Sequence, residues 1–147
     1  MTAPVNRFVL FVILLLALTG CWNTGASKRT NQFEETLDAY RLLIRWGKFE
    51  RALNYIRLRE GELRPFDREF YRKIHVTRYD IVDEIAFGKD VDDPREIHII
   101  TAIEFLHDDD ITVKTMRYRQ IWWYSEQAQR WFLDSDLPDF KSVLYNK

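Results

Sequence analysis

The chain has 147 residues, 46% of them hydrophobic, 31% charged and 15% aromatic, with 22 basic against 23 acidic side chains. That balance excludes a disordered chain and leaves no basic surplus for a nucleic-acid backbone, and the length suits one domain. A single cysteine excludes an internal disulfide framework and any zinc site built on cysteines.

Arg7 is the only charge ahead of an unbroken apolar run over residues 8–18. A bilayer-crossing helix needs about 20 apolar residues. The run therefore reads as the core of a secretory signal rather than a span. It ends in Leu18-Thr19-Gly20-Cys21, which resembles the lipobox of bacterial lipoproteins. In that family the signal is cut before the cysteine, whose thiol takes a diacylglycerol and whose freed amino group is commonly acylated as well. The resemblance implies a signal peptide at residues 1–20 and lipidation at Cys21. In lipoproteins of enteric-type bacteria an Asp after the cysteine marks retention in the inner membrane. This chain has Trp22 there, which implies the outer membrane, facing the periplasm. Residues 21–31 read as the lipidated cysteine with a flexible polar tether, and residues 32–147 as one domain.

Helical signals open that domain. Asn31 and Glu34 have the spacing of a capping box, and Phe33, Leu37, Tyr40 and Ile44 repeat at helical intervals up to Gly47. Phe49, Ala52, Leu53 and Ile56 give a second, shorter run expected to end near Gly61. Asp67 is placed to cap a brief third turn through Phe70 and Tyr71. From Ile74 the period changes to two. Tyr79, Ile81, Ile85 and Phe87 predict one face of a first strand, 88–94 a turn, and Ile97, Ile99, Thr101, Ile103 and Phe105 a second strand. A third is expected over 111–124 and a short fourth over 130–133.

The register of the middle hairpin has two candidates. A three-residue loop at 108–110 sets Phe105 against Val113, Ile103 against Thr115 and Ile97 against Ile121, with Glu104 beside Lys114 and Ala102 beside Met116. A shift by one sets Ala102 against Arg117 and Ile100 against Arg119, which are poorer partners. The first register is expected.

Helices followed by an antiparallel meander predict an α+β fold: two to three N-terminal helices packed on a curved four-stranded sheet. That order, with Trp46-Gly47-Lys48-Phe49 to Leu53 between the helices and the strand sequences 111–114, 121–124 and 130–133, resembles the cone-shaped NTF2-like family. A cystatin-like sheet wrapped on one helix fits the same order. The family spans isomerases, hydratases and binding domains without catalysis, so the resemblance implies a fold and no single activity. Its enzymes use a pocket Asp or His as base; no such motif matches here, and no catalytic residue is assigned.

Arg117 and Arg119 interrupt an otherwise apolar face of the third strand. Two readings are open: pairing with Asp80, Asp83 or Glu84 on the neighbouring strand, and a cationic spot in a concave pocket suited to a carboxylate or phosphate. Trp122, Trp123 and Tyr124 form an aromatic run that suggests a partner surface. Alternation sends the two tryptophans to opposite faces, one beneath the helices. His75, His98 and His107 lack metal-ligand spacing, and the Asp108-Asp109-Asp110 and Asp90, Asp92, Asp93 groups lack the calcium-loop pattern. No metal and no cofactor is expected. The sequence reads as a membrane-attached envelope module that binds another envelope protein, a small ligand or a second copy, with no nucleic acid. The rival reading is a small isomerase- or hydratase-type enzyme using the Arg117/Arg119 pocket.

Overall fold

In the computed structural model, which describes residues 24–87 and 94–145, the apolar stripe of Phe33, Leu37, Tyr40 and Ile44 builds the buried face of helix α1 (Thr24–Arg45). The signal sequence, Cys21 and most of the expected turn at 88–94 lie outside the described residues. Gly47 ends α1 as expected. Its φ is 64°, its N–H donates to the Ile44 carbonyl at 3.1 Å, and the Lys48 N–H donates to the Leu43 carbonyl at 2.7 Å. This is the Schellman arrangement, which needs a residue tolerant of the left-handed region.

The start of α1 differs from expectation. The helix runs from Thr24, so Asn31 lies inside it rather than at its cap. Contacts with the β3–β4 turn explain the extension. Trp131 Nε1 donates to the Arg29 carbonyl at 3.1 Å, Gln32 Nε2 donates to the Gln129 carbonyl at 3.0 Å, and Arg29 pairs with Glu126 at 3.0 Å.

Helix α2 (Phe49–Ala52) passes into a 3-10 turn at Leu53–Tyr55 and stops well short of Gly61. Ile56 instead turns extended and bridges Leu133. Helix α3 (Arg68–Arg72) is capped by Asp67, whose Oδ1 accepts from the Phe70 N–H at 3.1 Å. A last helix, α4 (Phe140–Tyr145), was not signalled by the sequence reading; it brings buried Phe140 against Phe49 and Phe105.

Strands β1 (Ile74–Phe87), β2 (Glu96–His107), β3 (Asp110–Ser125) and β4 (Arg130–Leu133) form one antiparallel sheet in sequence order. The α+β class and the four-stranded meander therefore stand, and the sheet is open rather than closed. Every odd residue of β2 from Ile97 to His107 is buried against the helices. Two details of the reading are overturned. The hairpin adopts the register judged poorer: Ala102 faces Arg117, Ile100 faces Arg119 and Phe105 faces Lys114. The cause is a tighter turn, with His107 paired to Asp110, followed by an irregularity between Phe105 and His107. The shift turns Tyr118, Gln120 and Trp122 inward instead of Arg117, Arg119 and Ile121. In β1 a bulge between Ile81 and Asp83 breaks the expected single face. Tyr79 and Ile81 point to the helix side, whereas Ile85 and Phe87 share rows with His98 and Glu96 on the outer side.

Candidate functional site

The helices cover one face of the sheet, and the other face carries the side chains that the sequence singled out. Arg117 and Arg119 stand there, exposed, in rows with Ala102 and Asp80 and with Ile100 and Asp83. Neither is among the residues that line the concavities described below. Strand β1 is not adjacent to β3: it places Asp80 and Asp83 on their face with a β2 residue between in each row, and Glu84 on the opposite face.

Arg119 belongs to a chain of polar groups that the sequence reading missed. Its Nη2 donates to His98 Nδ1 at 3.2 Å, and His98 Nε2 donates to Glu96 Oε1 at 2.6 Å, which fixes the imidazole tautomer. Arg59 continues the chain, with Nη1 on Glu96 Oε2 at 2.7 Å and Nε on Asp134 Oδ2 at 2.5 Å. Burial alone would raise the Glu96 carboxyl, but the hydrogen bonds from His98 and Arg59 outweigh it and hold the carboxyl below its ordinary value. The Phe87 ring rests on His98 with centroids 4.4 Å apart. The readable signal was Glu96-x-His98, two residues apart on a strand and therefore on one face.

The aromatic run divides between the faces. Trp122 is fully buried, edge-on to Tyr40 at 5.4 Å and to Phe33 at 6.0 Å, so it is no part of an exposed surface. Tyr124 also lies on the helix side, against Trp131 at 5.5 Å and under the Arg29 guanidinium at 5.3 Å. Trp123 alone of the three faces outward, half-buried. It packs on Phe132 at 5.6 Å and donates through Nε1 to the Arg57 carbonyl at 3.1 Å. The guanidiniums of Arg57 and Arg130 lie 5.3 Å and 4.6 Å from the Phe132 ring centroid. With Ile100 and Ile121, this makes an aromatic and aliphatic patch rimmed by cations.

The middle of the helix side is packed with hydrogen-bonded side chains. Gln120 Nε2 donates to Tyr79 Oη at 2.5 Å, Trp122 Nε1 donates to Gln120 Oε1 at 2.9 Å, and Thr101 Oγ1 donates to the Tyr118 carbonyl at 3.2 Å. Tyr118 Oη donates to the Asp136 carbonyl at 2.6 Å, so the 3.1 Å contact between Tyr40 and Tyr118 uses the Tyr40 hydrogen. Burial, reinforced by neighbouring phenols, pushes Tyr40 and Tyr118 well above the ordinary tyrosine value. Burial also raises Tyr79 to about 12 against the opposing hydrogen bonds from Gln120 and Thr101.

Smaller concavities lie at the periphery. One of about 280 Å³ has a floor of Phe49, Phe66 and Tyr71 with Lys48 and Arg51 at its edge. Another of about 390 Å³ lies between Lys28, Arg95 and the β3–β4 turn. Among the described residues no group of three His, Cys, Asp or Glu is placed to hold a metal. Asp108, Asp109 and Asp110 are each engaged by a cation-capable neighbour, His75, Lys73 and Lys114 respectively. His107 is buried beside Phe70, and its Nδ1 accepts from the Asp109 N–H at 3.2 Å. No protein-family model matches this chain, and no curated protein sequence matches it.

Proposed function

We propose that this protein is a lipid-anchored, non-catalytic binding or assembly module of a bacterial envelope, held at the outer membrane through Cys21 and facing the periplasm. The observation that carries the reading is Leu18-Thr19-Gly20-Cys21 after an apolar run, with the chain's single cysteine at the one position the motif requires. One acyl chain anchors only reversibly, whereas two or three on one residue hold a protein on a membrane durably. The outer sheet face, with Trp123, Phe132, Ile100 and Ile121 inside a charged rim, supports contact with an envelope protein or a second copy. We read the architecture as NTF2-like; the long α1 across a four-stranded antiparallel sheet supports this. The isomerase- or hydratase-type alternative depended on a pocket holding Arg117 and Arg119, and both stand on the outer face. The interior where such a pocket would lie is occupied by Trp122, Tyr40, Tyr118 and Gln120.

Replacing Cys21 by Ser tests the anchor. The wild-type chain should take up a labelled fatty acid in bacteria and enter the detergent phase. C21S should take up no label, and should appear either uncleaved or free of the membrane. A C21S chain that is still processed, acylated and detergent-soluble would refute the lipoprotein reading.

A further inference from the structure

Strand β1 has β2 on one side and no strand on the other among the described residues. Near its start the open edge is occupied, because Arg45 Nη1 donates to the Val76 carbonyl. Past Tyr79 it is bare: residues 80–87 are all exposed, and Ile81, Val82, Ile85 and Phe87 show 41, 49, 49 and 45% of their surface. Beyond the bulge, residues 83–87 keep an unbroken register with 96–100. That stretch is a straight template for one more strand.

Beside this edge runs a groove of about 410 Å³ between α1 and β1. Its floor is apolar, made by Phe33, Leu37, Ile81, Ala86 and Ile97, and its walls carry the carboxylates of Glu34, Asp38 and Glu84. Asp38 has Arg41 at 3.0 Å, whereas Asp83 stands on the opposite side of the strand, in the row of Ile100. An apolar floor under acidic walls fits a lysine or arginine, whose methylene stem lies on the floor while its head meets the carboxylates. On the other side of the edge, Ile85 and Phe87 fit aliphatic side chains. Successive residues of an added strand point alternately to these two sides.

We infer that the β1 edge takes an extended segment of a partner protein in which basic and aliphatic residues alternate, added as a fifth strand over residues 83–87. A second copy of this chain is a poor occupant, since pairing two such edges sets Asp83 and Glu84 near their own kind. The inference rests on the reading of the domain as a binding module and not on lipid at Cys21. It uses a surface separate from the Trp123 face.

The test uses the full chain purified in detergent and a capped ten-residue peptide alternating lysine and valine, read by fluorescence anisotropy and amide hydrogen exchange. The peptide should bind with a Kd below about 100 μM at low salt and slow exchange at residues 83–87. A glutamate-for-lysine peptide should not bind. A peptide of the same charge with prolines at two central positions, which cannot complete the ladder, should bind about tenfold more weakly. Glu34→Lys and Glu84→Lys, both on exposed positions, should each weaken binding about tenfold. Equal binding of the proline peptide, indifference to both charge reversals, or no binding at all overturns the inference. Because fatty-acid labelling at Cys21 is scored separately, such a failure leaves the anchor reading standing.

Discussion

Gln120 shows how a polar side chain can be a core residue when every group it offers is used. It sits on the inner face of β3 with no exposed surface, and it joins Tyr79, Thr101 and Trp122 through its amide. Gln120→Ala strands the Trp122 N–H and opens a void, so it should lower unfolding free energy in urea by about 3 kcal/mol. Arg117→Ala, on the open face, should change it by less than about 0.5 kcal/mol. The same interior governs behaviour in alkali. Tyr71 and Tyr79 are pushed up to about 12, largely by burial, and burial also raises Tyr40 and Tyr118 well above the ordinary tyrosine value. An unfolded tyrosine loses its proton near 10, so above that pH the unfolded chain holds fewer protons than the folded one. Stability is therefore complete below about pH 10 and is lost as the pH rises toward 12. Phenolate absorbance should rise in two phases, the later one coinciding with loss of circular dichroism. A single early phase that includes all seven tyrosines would contradict the packing described.

At the scale of elements, the legible parts were those in which local pattern and tertiary burial agree. The alternation of β2 is clear because each inward residue from Ile97 to Phe105 is apolar or Thr101, and each is buried. Gly47 was legible because a helix that ends in the left-handed region strongly favours glycine there. A Cβ at Gly47 would meet nothing closer than 3.9 Å, so Gly47→Ala acts through backbone conformation alone. It should cost about 1 kcal/mol, read as a lowered urea midpoint with an unchanged slope. What stayed hidden depended on irregularities that leave no periodic trace. A bulge in β1 and a tight turn after β2 each move side chains across the sheet, and the latter exchanges Arg117 and Arg119 for Tyr118 and Gln120 as inward residues. Cross-strand preference alone chose the wrong register, because burial of Tyr118, Gln120 and Trp122 outweighs pair preferences of a few tenths of a kcal/mol. The early start of α1 was hidden for a different reason: its partners, Glu126, Gln129 and Trp131, lie about 100 positions away in sequence.

For the whole molecule, the sheet separates two kinds of surface. One face is closed by α1 and by a network of tyrosines and tryptophans, whereas the other is tied together by the Arg119–His98–Glu96–Arg59–Asp134 chain and left open. Of the candidate site, alternation showed that Trp122 and Trp123 take opposite faces, but which one points outward depends on the hairpin register, and the expected register sends Trp123 inward. Glu96-x-His98 was legible as two side chains on one face. Arg59 and Asp134 were not, since they reach that face from loops whose paths the sequence does not encode locally.

Under the proposed anchoring at Cys21, the first turn of α1 sets a ceiling on where this molecule would act. Helix α1 begins at Thr24, close behind Cys21. The intervening chain, fully stretched, reaches roughly 10 Å. Glu34, on the wall of the groove, lies ten residues further along α1, which adds a rise of about 15 Å. With Cys21 seated in a bilayer, the groove can rise no more than about 25 Å above the headgroups. A partner that spans the periplasm or diffuses through it spends little of its time in so thin a layer. A basic segment that itself leaves the same membrane is confined there, and meeting it becomes a search in two dimensions rather than three.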